Sequence, residues 1–138
     1  MKKQWMRWAL PGLLVLLLDR GIKALCAARP QVTQNSGMAF GMFQGNSLAI
    51  LAVSLALVAG CALLLRRVKP SGLAPVAISL MAGGALGNMI DRLAYGYVID
   101  MFPFFGWFVF NVADVGVVVG AILCGWSLLF RPQDWRDQ

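Results

Sequence analysis

Residues 47–65 run for the length of a membrane-spanning helix without one charged side chain. A helix needs about 20 mostly apolar residues to cross the hydrocarbon of a bilayer. Three further stretches approach that length and composition, at about residues 8–27, 73–91 and 108–130. The chain is 59% hydrophobic and 13% charged, whereas soluble domains are roughly 45–50% apolar and about 25% charged. We therefore predict an all-α integral membrane protein whose four transmembrane helices form a single polytopic membrane domain over residues 1–138.

The basic residues indicate which side of the membrane each segment occupies. The net charge is +6, and most Lys and Arg residues cluster between the apolar runs. These clusters are Lys2, Lys3 and Arg7 before the first run, Arg66, Arg67 and Lys69 after the second, and Arg131 and Arg136 after the last. Because short cytoplasmic segments are enriched in basic residues, we predict that both termini are cytoplasmic. Residues 28–46 and 92–107 then lie on the outer side, and we expect no nucleic-acid partner.

The two outer segments differ in composition from the inner ones. Alternating side chains around residues 32–43 permit a short strand or hairpin that lies on the membrane. Residues 101–110 are aromatic and uncharged. They fit either an aromatic belt at the membrane interface or a flap that closes over an apolar substrate. We therefore expect a small extracytoplasmic β/loop element beside the helices.

The residue inventory excludes several kinds of chemistry. The chain has no His, and its six acidic residues are all Asp. Ser-His-Asp and Cys-His catalysis, a His-based metal site and a transporter driven by Glu are therefore excluded. Three cysteines (Cys26, Cys61 and Cys124) lie in or beside apolar runs without a metal-like cluster, which is typical of small buried side chains. We expect neither a metal nor a cofactor.

Polar and charged residues concentrate at the outer ends of the apolar runs. A charged side chain within the hydrocarbon costs about 3 kcal/mol on insertion scales, so it marks function or a specific ion pair. Asp19 and Lys23 are four residues apart, so they share a helix face and can pair. A structural interpretation, in which these groups tie the helices together, stays open. The members of this layer are Asp19, Lys23, Asn88, Asp91, Arg92, Asp100, Asn111 and Asp114.

Asp100 and Asp114 stand apart within this layer. They flank the aromatic segment, and no basic residue lies at pairing distance in the sequence. Two carboxylates close together at low dielectric cannot both ionise easily, so the pair titrates as a unit. An aspartic peptidase uses such a pair to activate water against an amide carbonyl. By contrast, Asp134 and Asp137 fall in the polar tail, where we expect them to be solvated.

Five blocks of sequence carry a resemblance to a known family. Residues 19–23 (D-R-G-I-K) are similar to D-Q-x-[TS]-K, and residues 35–41 (N-S-G-M-A-F-G) to N-x-G-A-A-F-G. Residues 83–92 (G-G-A-L-G-N-M-I-D-R) are similar to G-G-A-x-G-N-x-x-D-R. Residues 96–100 (G-Y-V-I-D) and 110–114 (F-N-V-A-D) are similar to G-x-V-x-D and F-N-x-A-D. In this order the blocks resemble lipoprotein signal peptidase (signal peptidase II), a bacterial membrane aspartic peptidase.

The resemblance implies a complete set of roles. It implies four transmembrane helices with a small outer β-element, and Asp100 and Asp114 as the catalytic dyad near the outer face of the bacterial cytoplasmic membrane. It implies an endopeptidase that cuts prolipoprotein signal peptides before a diacylglyceryl-modified cysteine. We expect membrane lipid around a monomer, with no metal or cofactor. The resemblance implies supporting or substrate-binding roles for Asp19, Lys23, Asn35, Gly37, Asn88, Asp91, Arg92 and Asn111.

The chain departs from the family patterns at a few positions. Arg20 stands where the family prefers Gln, and Ile22 where it prefers Thr or Ser. Met38 replaces a small Ala, and Met101 follows the aspartate where Phe is frequent. These departures affect the expected substrate pocket and leave the two aspartates in place.

Two alternatives belong to other classes of function. A Ser-Lys peptidase would use Ser36 as nucleophile and Lys23 as base. A small four-helix membrane exporter or a non-catalytic assembly factor has a similar size. Such exporters typically rely on a membrane Glu, which this chain lacks. Replacing Ser36 and the two aspartates discriminates among the three.

Overall fold

The computed structural model describes residues 2–30, 32–37 and 45–136. In that part of the chain four α-helices alternate with short strands. The helices are α1 (Lys2–Cys26), α2 (Ser47–Arg67), α3 (Ala74–Tyr95) and α4 (Val112–Phe130). The strands are β1 (Thr33–Asn35), β2 (Val98–Asp100), β3 (Phe102–Phe104) and β4 (Phe108–Phe110), and a 3₁₀ helix (Pro132–Trp135) follows α4.

Glycines let α1, α3 and α4 approach each other closely. A Cβ on Gly83 would collide with the backbone of Gly12, so α1 and α3 touch main chain to main chain. The next residue, Gly84, faces the backbone of Ala113 at the start of α4. Gly87 lies against the side chain of Asp19. The small residues around positions 83–87 therefore act in helix packing, as their spacing predicts.

Two of the four helices are long and apolar enough to cross a membrane by length and composition. They cover Leu48–Arg67 and Val112–Phe130. Helices α1 and α3 also have the length for a crossing, but they carry the charged residues of the polar layer. Many helix residues, such as Leu14, Leu55 and Ile122, expose apolar side chains. A bundle that is apolar on its outside is typical of a membrane protein, and the count of four crossings stays a prediction.

The helix boundaries differ from those expected along the sequence. Helix α1 begins at Lys2 rather than near residue 8, and α3 continues to Tyr95 rather than ending near residue 91. The prediction that residues 108–110 open the last helix is wrong, because they form β4 instead. Apolar composition identifies a membrane-length run, but it does not distinguish a strand that leads into a helix from the helix itself.

The strands form two small antiparallel sheets at one end of the bundle, which we call the strand end. Strand β1 pairs with β2, with Thr33 opposite Asp100. The expected strand in residues 32–43 is therefore confirmed at 33–35, and its partner comes from the other predicted outer segment. Residues 38–44 lie outside the described residues. The uncharged aromatic segment is a hairpin, in which β3 pairs with β4.

At the other end of the bundle, the tail folds back onto the α2–α3 connection. Asp134 is 3% exposed and accepts hydrogen bonds from the Leu73 N–H (3.0 Å) and the Ser127 hydroxyl (3.2 Å). Its main-chain oxygen also accepts from the Ser71 N–H (2.8 Å). The expectation that Asp134 is simply solvated is therefore wrong, because the residue joins the start of α3 to the end of α4. Asp137 lies outside the described residues.

Candidate active site

Asn111 places Asp114 in the first turn of α4. The Asn111 side chain accepts from the Asp114 N–H (2.8 Å), and the Asp114 carboxylate accepts from the Asn111 N–H (3.1 Å). This reciprocal pair is a capping box, which satisfies two N–H groups that have no partner inside the helix. It fixes the residue at which β4 ends and α4 begins, and the Asp114 carboxylate is within hydrogen-bond reach of Asn88 on α3.

Asp100 ends β2 and is almost completely buried, with 2% of its surface exposed. One carboxylate oxygen accepts from the Asn35 side chain on β1 (3.1 Å). The other accepts from the Asn111 side chain (2.8 Å). Because β1 and β2 pair in register, Asn35 reaches Asp100 from a segment far away in the sequence.

A chain of amide groups joins the two aspartates. The Asn111 amide nitrogen donates to Asp100 and also to the Asn88 oxygen (2.9 Å). The Asn88 amide nitrogen in turn donates to the Asp114 carboxylate (2.8 Å). The structure therefore brings Asp100, Asn111, Asn88 and Asp114 into one continuous hydrogen-bonded group.

The surroundings of Asp100 change its acidity. The pKa of Asp100 is raised from 3.8 to about 7, chiefly by burial and next by the nearby charge of Asp114. Hydrogen bonds from Asn35 and Asn111 and the charge of Lys23 oppose this rise in pKa. A carboxyl group with a pKa near neutrality can both donate and accept a proton at physiological pH, as general acid–base chemistry requires.

Beneath the two aspartates lies an ion cluster between α1 and α3. Asp19 and Asp91 are fully buried, and the Lys23 ammonium lies 2.9 Å from one carboxylate and 2.8 Å from the other. The pairing of Asp19 with Lys23 that their spacing predicts is confirmed. Lys23 also donates to the Asn88 oxygen (3.1 Å), which ties the cluster to the amide chain above it.

Each buried carboxylate of this cluster holds the residue before one of the two aspartates. Asp19 accepts from the Ala113 N–H (2.9 Å), next to Asp114. Asp91 accepts from the Ile99 N–H (3.0 Å), next to Asp100. The cluster therefore fixes the backbone on both sides of the candidate site.

Arg92 points away from the Asp91 side chain, as their adjacency in a helix predicts. Its guanidinium donates to the main-chain oxygen of Gly37 (3.0 Å). Gly37 is in turn held by its own N–H, which donates to the Asn35 side chain (2.9 Å). Arg92 therefore ties α3 to the segment that follows β1.

A cleft of about 660 Å³ opens beside the aspartates. Its polar side carries Asp100, Asp114, Asn88, Asn35 and Arg92. Its apolar side is formed by α2, α4 and the hairpin, and includes Ile50, Val53, Leu57, Val117, Val118 and Phe110. An apolar groove with a few convergent polar groups is the usual form of a binding site for an extended apolar ligand.

The structure argues against Lys23 as the base for Ser36. The ammonium group has three hydrogens, and its three contacts are Asp19, Asp91 and Asn88. Two buried carboxylates and the Asn88 oxygen take up these three hydrogens, so the described contacts engage Lys23 in the ion cluster. Within the part of the chain that the structure describes, no group of three acidic or cysteine side chains is arranged to hold a metal ion.

Sequence reasoning missed Arg20, which was noted only as a departure from the family pattern. The structure places its guanidinium against both Asp19 (3.2 Å) and Asp91. The contact with Asp91 joins residues 71 positions apart in the sequence. Spacing within one helix cannot reveal such a contact, and the only available signal was a cation beside an expected aspartate.

Comparison with known proteins identifies the family. A family model described as signal peptidase (SPase) II matches residues 12–130. Lipoprotein signal peptidases of Halothermothrix orenii and Syntrophomonas wolfei are 34% and 39% identical to the chain, each over 126 residues. Both alignments cover 80% of this chain, and they cover 87% and 85% of those proteins.

Solved structures show the same fold. One, described as a bacterial membrane enzyme, superposes with a TM-score of 0.84 at 24% identity, covering 96% of this chain and 93% of its own. A second with the same description has a TM-score of 0.79 at 25% identity, covering 91% and 94%.

The fold, the buried acid pair and the family match together define a membrane-embedded peptidase of the aspartic type. The chain belongs to the signal peptidase II family, the lipoprotein signal peptidases. This membership does not favour the exporter or assembly-factor alternative.

Proposed function

We propose that Asp100 and Asp114 are the catalytic dyad with which this chain cuts diacylglyceryl-modified prolipoproteins before the lipidated cysteine. The observation that carries the proposal is the linked pair itself. Both carboxylates accept hydrogen bonds from one amide chain, and both line the same half-apolar cleft. Eight further residues that the resemblance assigned supporting roles fall within or next to this group.

The dyad works by sharing one proton. Asp100, whose pKa is raised to about 7, carries the proton in the free enzyme, while Asp114 accepts N–H bonds from Asn88 and Asn111 as a carboxylate. Asp114 then takes a proton from the attacking water as Asp100 protonates the carbonyl oxygen of the substrate. The resulting gem-diol collapses, which breaks the C–N bond and returns a proton to the leaving amine.

The apolar side of the cleft receives the signal peptide. Side chains of α2 and α4 line it, including Val53, Leu57 and Val118. An apolar signal helix can enter laterally between these helices while its cleavage site reaches Asp100. Arg92 lines the polar side of the cleft and is held there by the carbonyl of Gly37, where it can contact a substrate carbonyl.

The placement in the membrane is part of the proposal. All four helices cross the bacterial cytoplasmic membrane, both termini lie in the cytoplasm, and the strand end with the dyad lies near the outer face. The basic clusters at residues 66–69 and at the tail support this orientation. A single chain carries both aspartates, so a monomer surrounded by membrane lipid suffices for catalysis.

The decisive experiment is cleavage of a diacylglyceryl-modified prolipoprotein by the purified protein in detergent. We expect wild type and Ser36→Ala to cleave before the lipidated cysteine, and Asp100→Asn and Asp114→Asn to lose activity by several orders of magnitude. Asp134→Asn is the matched control, because it alters a buried aspartate at the opposite end of the bundle. Full activity in either dyad variant would overturn the assignment.

A further inference from the structure

Arg20 occupies a central place in the ion cluster beneath the dyad. One terminal nitrogen of its guanidinium contacts Asp19 (3.2 Å), the main-chain oxygen of Gly87 (3.2 Å) and Asp91. These contacts join α1 to α3 at the level where the two helices support the strand end. The side chain is 27% exposed, whereas both carboxylates are completely buried.

The cluster is neutral only when Arg20 is counted. Two carboxylates, Asp19 and Asp91, face two cations, Lys23 and Arg20. A buried charge without a partner is strongly unfavourable. Without Arg20, the single ammonium of Lys23 would have to compensate both carboxylates.

Because Arg20 shares the two carboxylates, Lys23 can also contact Asn88. Its third contact is the Asn88 oxygen (3.1 Å), and Asn88 uses its amide nitrogen to hold the Asp114 carboxylate. If both buried carboxylates drew on Lys23 alone, this contact would weaken and the Asn88 oxygen would keep only the Asn111 amide as a donor. The Asn88 amide, which donates to Asp114, would then be held less firmly.

We propose that Arg20 is a positioning residue that, together with Lys23, sets the spacing of Asp19 and Asp91 and thereby of Asp100 and Asp114. Asp19 holds the N–H next to Asp114, and Asp91 holds the N–H next to Asp100. A change in the separation of the two carboxylates is passed directly to the dyad. This role rests on the proposed function of the dyad, and it acts through contacts below the substrate cleft.

The charge of Arg20 also bears on the pH dependence of cleavage. The charged groups around the dyad are Arg20, Lys23 and Asp19 from α1, and Asp91 and Arg92 from α3. Removing Arg20 leaves this group one positive charge short. Because the ionised form of Asp100 then becomes less favourable, the acidic and alkaline limbs of the pH–rate profile (the pH limbs) move to higher pH.

The test compares Arg20→Ala, Arg20→Lys and wild type in the cleavage assay across pH. For Arg20→Ala, which removes both the charge and the hydrogen-bond donors, we expect kcat to fall roughly tenfold to a hundredfold, because small displacements of reacting groups are costly. KM should change little, since Arg20 does not line the cleft. Arg20→Lys keeps the charge without the planar fork, so we expect it to restore the wild-type pH limbs and only part of kcat.

Arg66→Ala is the matched control. It removes the same charge from an exposed position at the last turn of α2, at the opposite end of the bundle. We expect wild-type kcat and pH limbs from this variant. Thermal unfolding in detergent is measured in parallel for all variants, so that loss of folded protein is not counted as loss of turnover.

The outcomes separate this inference from the proposed function. If wild type does not cleave, the proposed function itself fails. If wild type cleaves and Arg20→Ala, corrected for folded fraction, keeps its kcat and pH limbs, Arg20 has only a structural role. If Arg20→Ala does not fold, Arg20→Lys decides, and an unchanged kcat in that variant contradicts the need for the guanidinium fork.

Discussion

Replacing Asn35 with alanine tests how the site sets the acidity of its buried acid. The Asn35 side chain donates to the Asp100 carboxylate at 3.1 Å. A hydrogen bond to the charged form stabilises that form, so this contact lowers the pKa of Asp100. In wild type the pKa is about 7. Above that pH Asp100 loses its proton and can no longer protonate the substrate carbonyl, so kcat/KM falls.

The expected shift in Asn35→Ala follows from the strength of that hydrogen bond. Hydrogen bonds to charged groups contribute about 1.5–3 kcal/mol, and one pKa unit corresponds to about 1.36 kcal/mol. The upper limit is therefore about two units. Because 3.1 Å is long for a charge-assisted bond and the cleft admits water, we expect a shift of about one unit. The alkaline limb of kcat/KM should move from near pH 7 to near pH 8.

The assay is the rate of cleavage of a lipid-modified peptide substrate at low concentration, measured across pH. A weaker contact with substrate scales the whole profile of kcat/KM without moving its limb, so the two effects of losing Asn35 are separable. Asn46→Ala is the control, because Asn46 is an exposed cap of α2. An alkaline limb that stays in place in Asn35→Ala, or moves to lower pH, would refute the reasoning.

Three further changes probe the fold. Gly83→Ala should lower the free energy of unfolding by about 1–3 kcal/mol, because its Cβ would collide with the backbone of Gly12. Gly60→Ala is the control, because its Cβ would meet open space. Thermal unfolding in detergent compares the two variants, and equal stabilities would contradict the close crossing of α1 and α3. Asp134→Asn should lower the free energy of unfolding by about 1–3 kcal/mol and leave kcat unchanged. Unfolding and cleavage assays on the same preparation check both, and a loss of kcat would contradict the remoteness of Asp134 from the dyad. Phe105→Gly should stabilise by about 1 kcal/mol, since φ is +47° at Phe105 and left-handed backbone is costly for side chains; a lower melting temperature would contradict this.

Sequence alone predicted most residues of the candidate site but not how they connect. The spacing of four between Asp19 and Lys23 predicted their ion pair, because helical periodicity determines contacts within one helix. No such rule relates Asn111 to Asn88, or Asn35 to Asp100. Those contacts depend on how α3 meets α4 and how β1 pairs with β2.

The ends of the elements also required the tertiary structure. Residues 108–110 read as the start of an apolar helix, yet they pair with Phe102–Phe104, and the helix begins only after the Asn111 cap. Composition cannot show this, because aromatic and β-branched residues suit a strand and a membrane helix equally. The capping box was present in the sequence as an Asn three residues before an Asp, and it was a usable signal for the boundary.

The amino-acid sequence by itself determined the class of the protein, the layer in which its polar groups concentrate and the pair of aspartates. These follow from hydrophobicity and from motifs, which are local properties of the chain. Only the tertiary structure decided that Asp134 is buried and that Arg20 joins Asp19 to Asp91. The physical reason is that the free energy of a buried charge depends on partners brought from distant segments, and packing alone selects those partners.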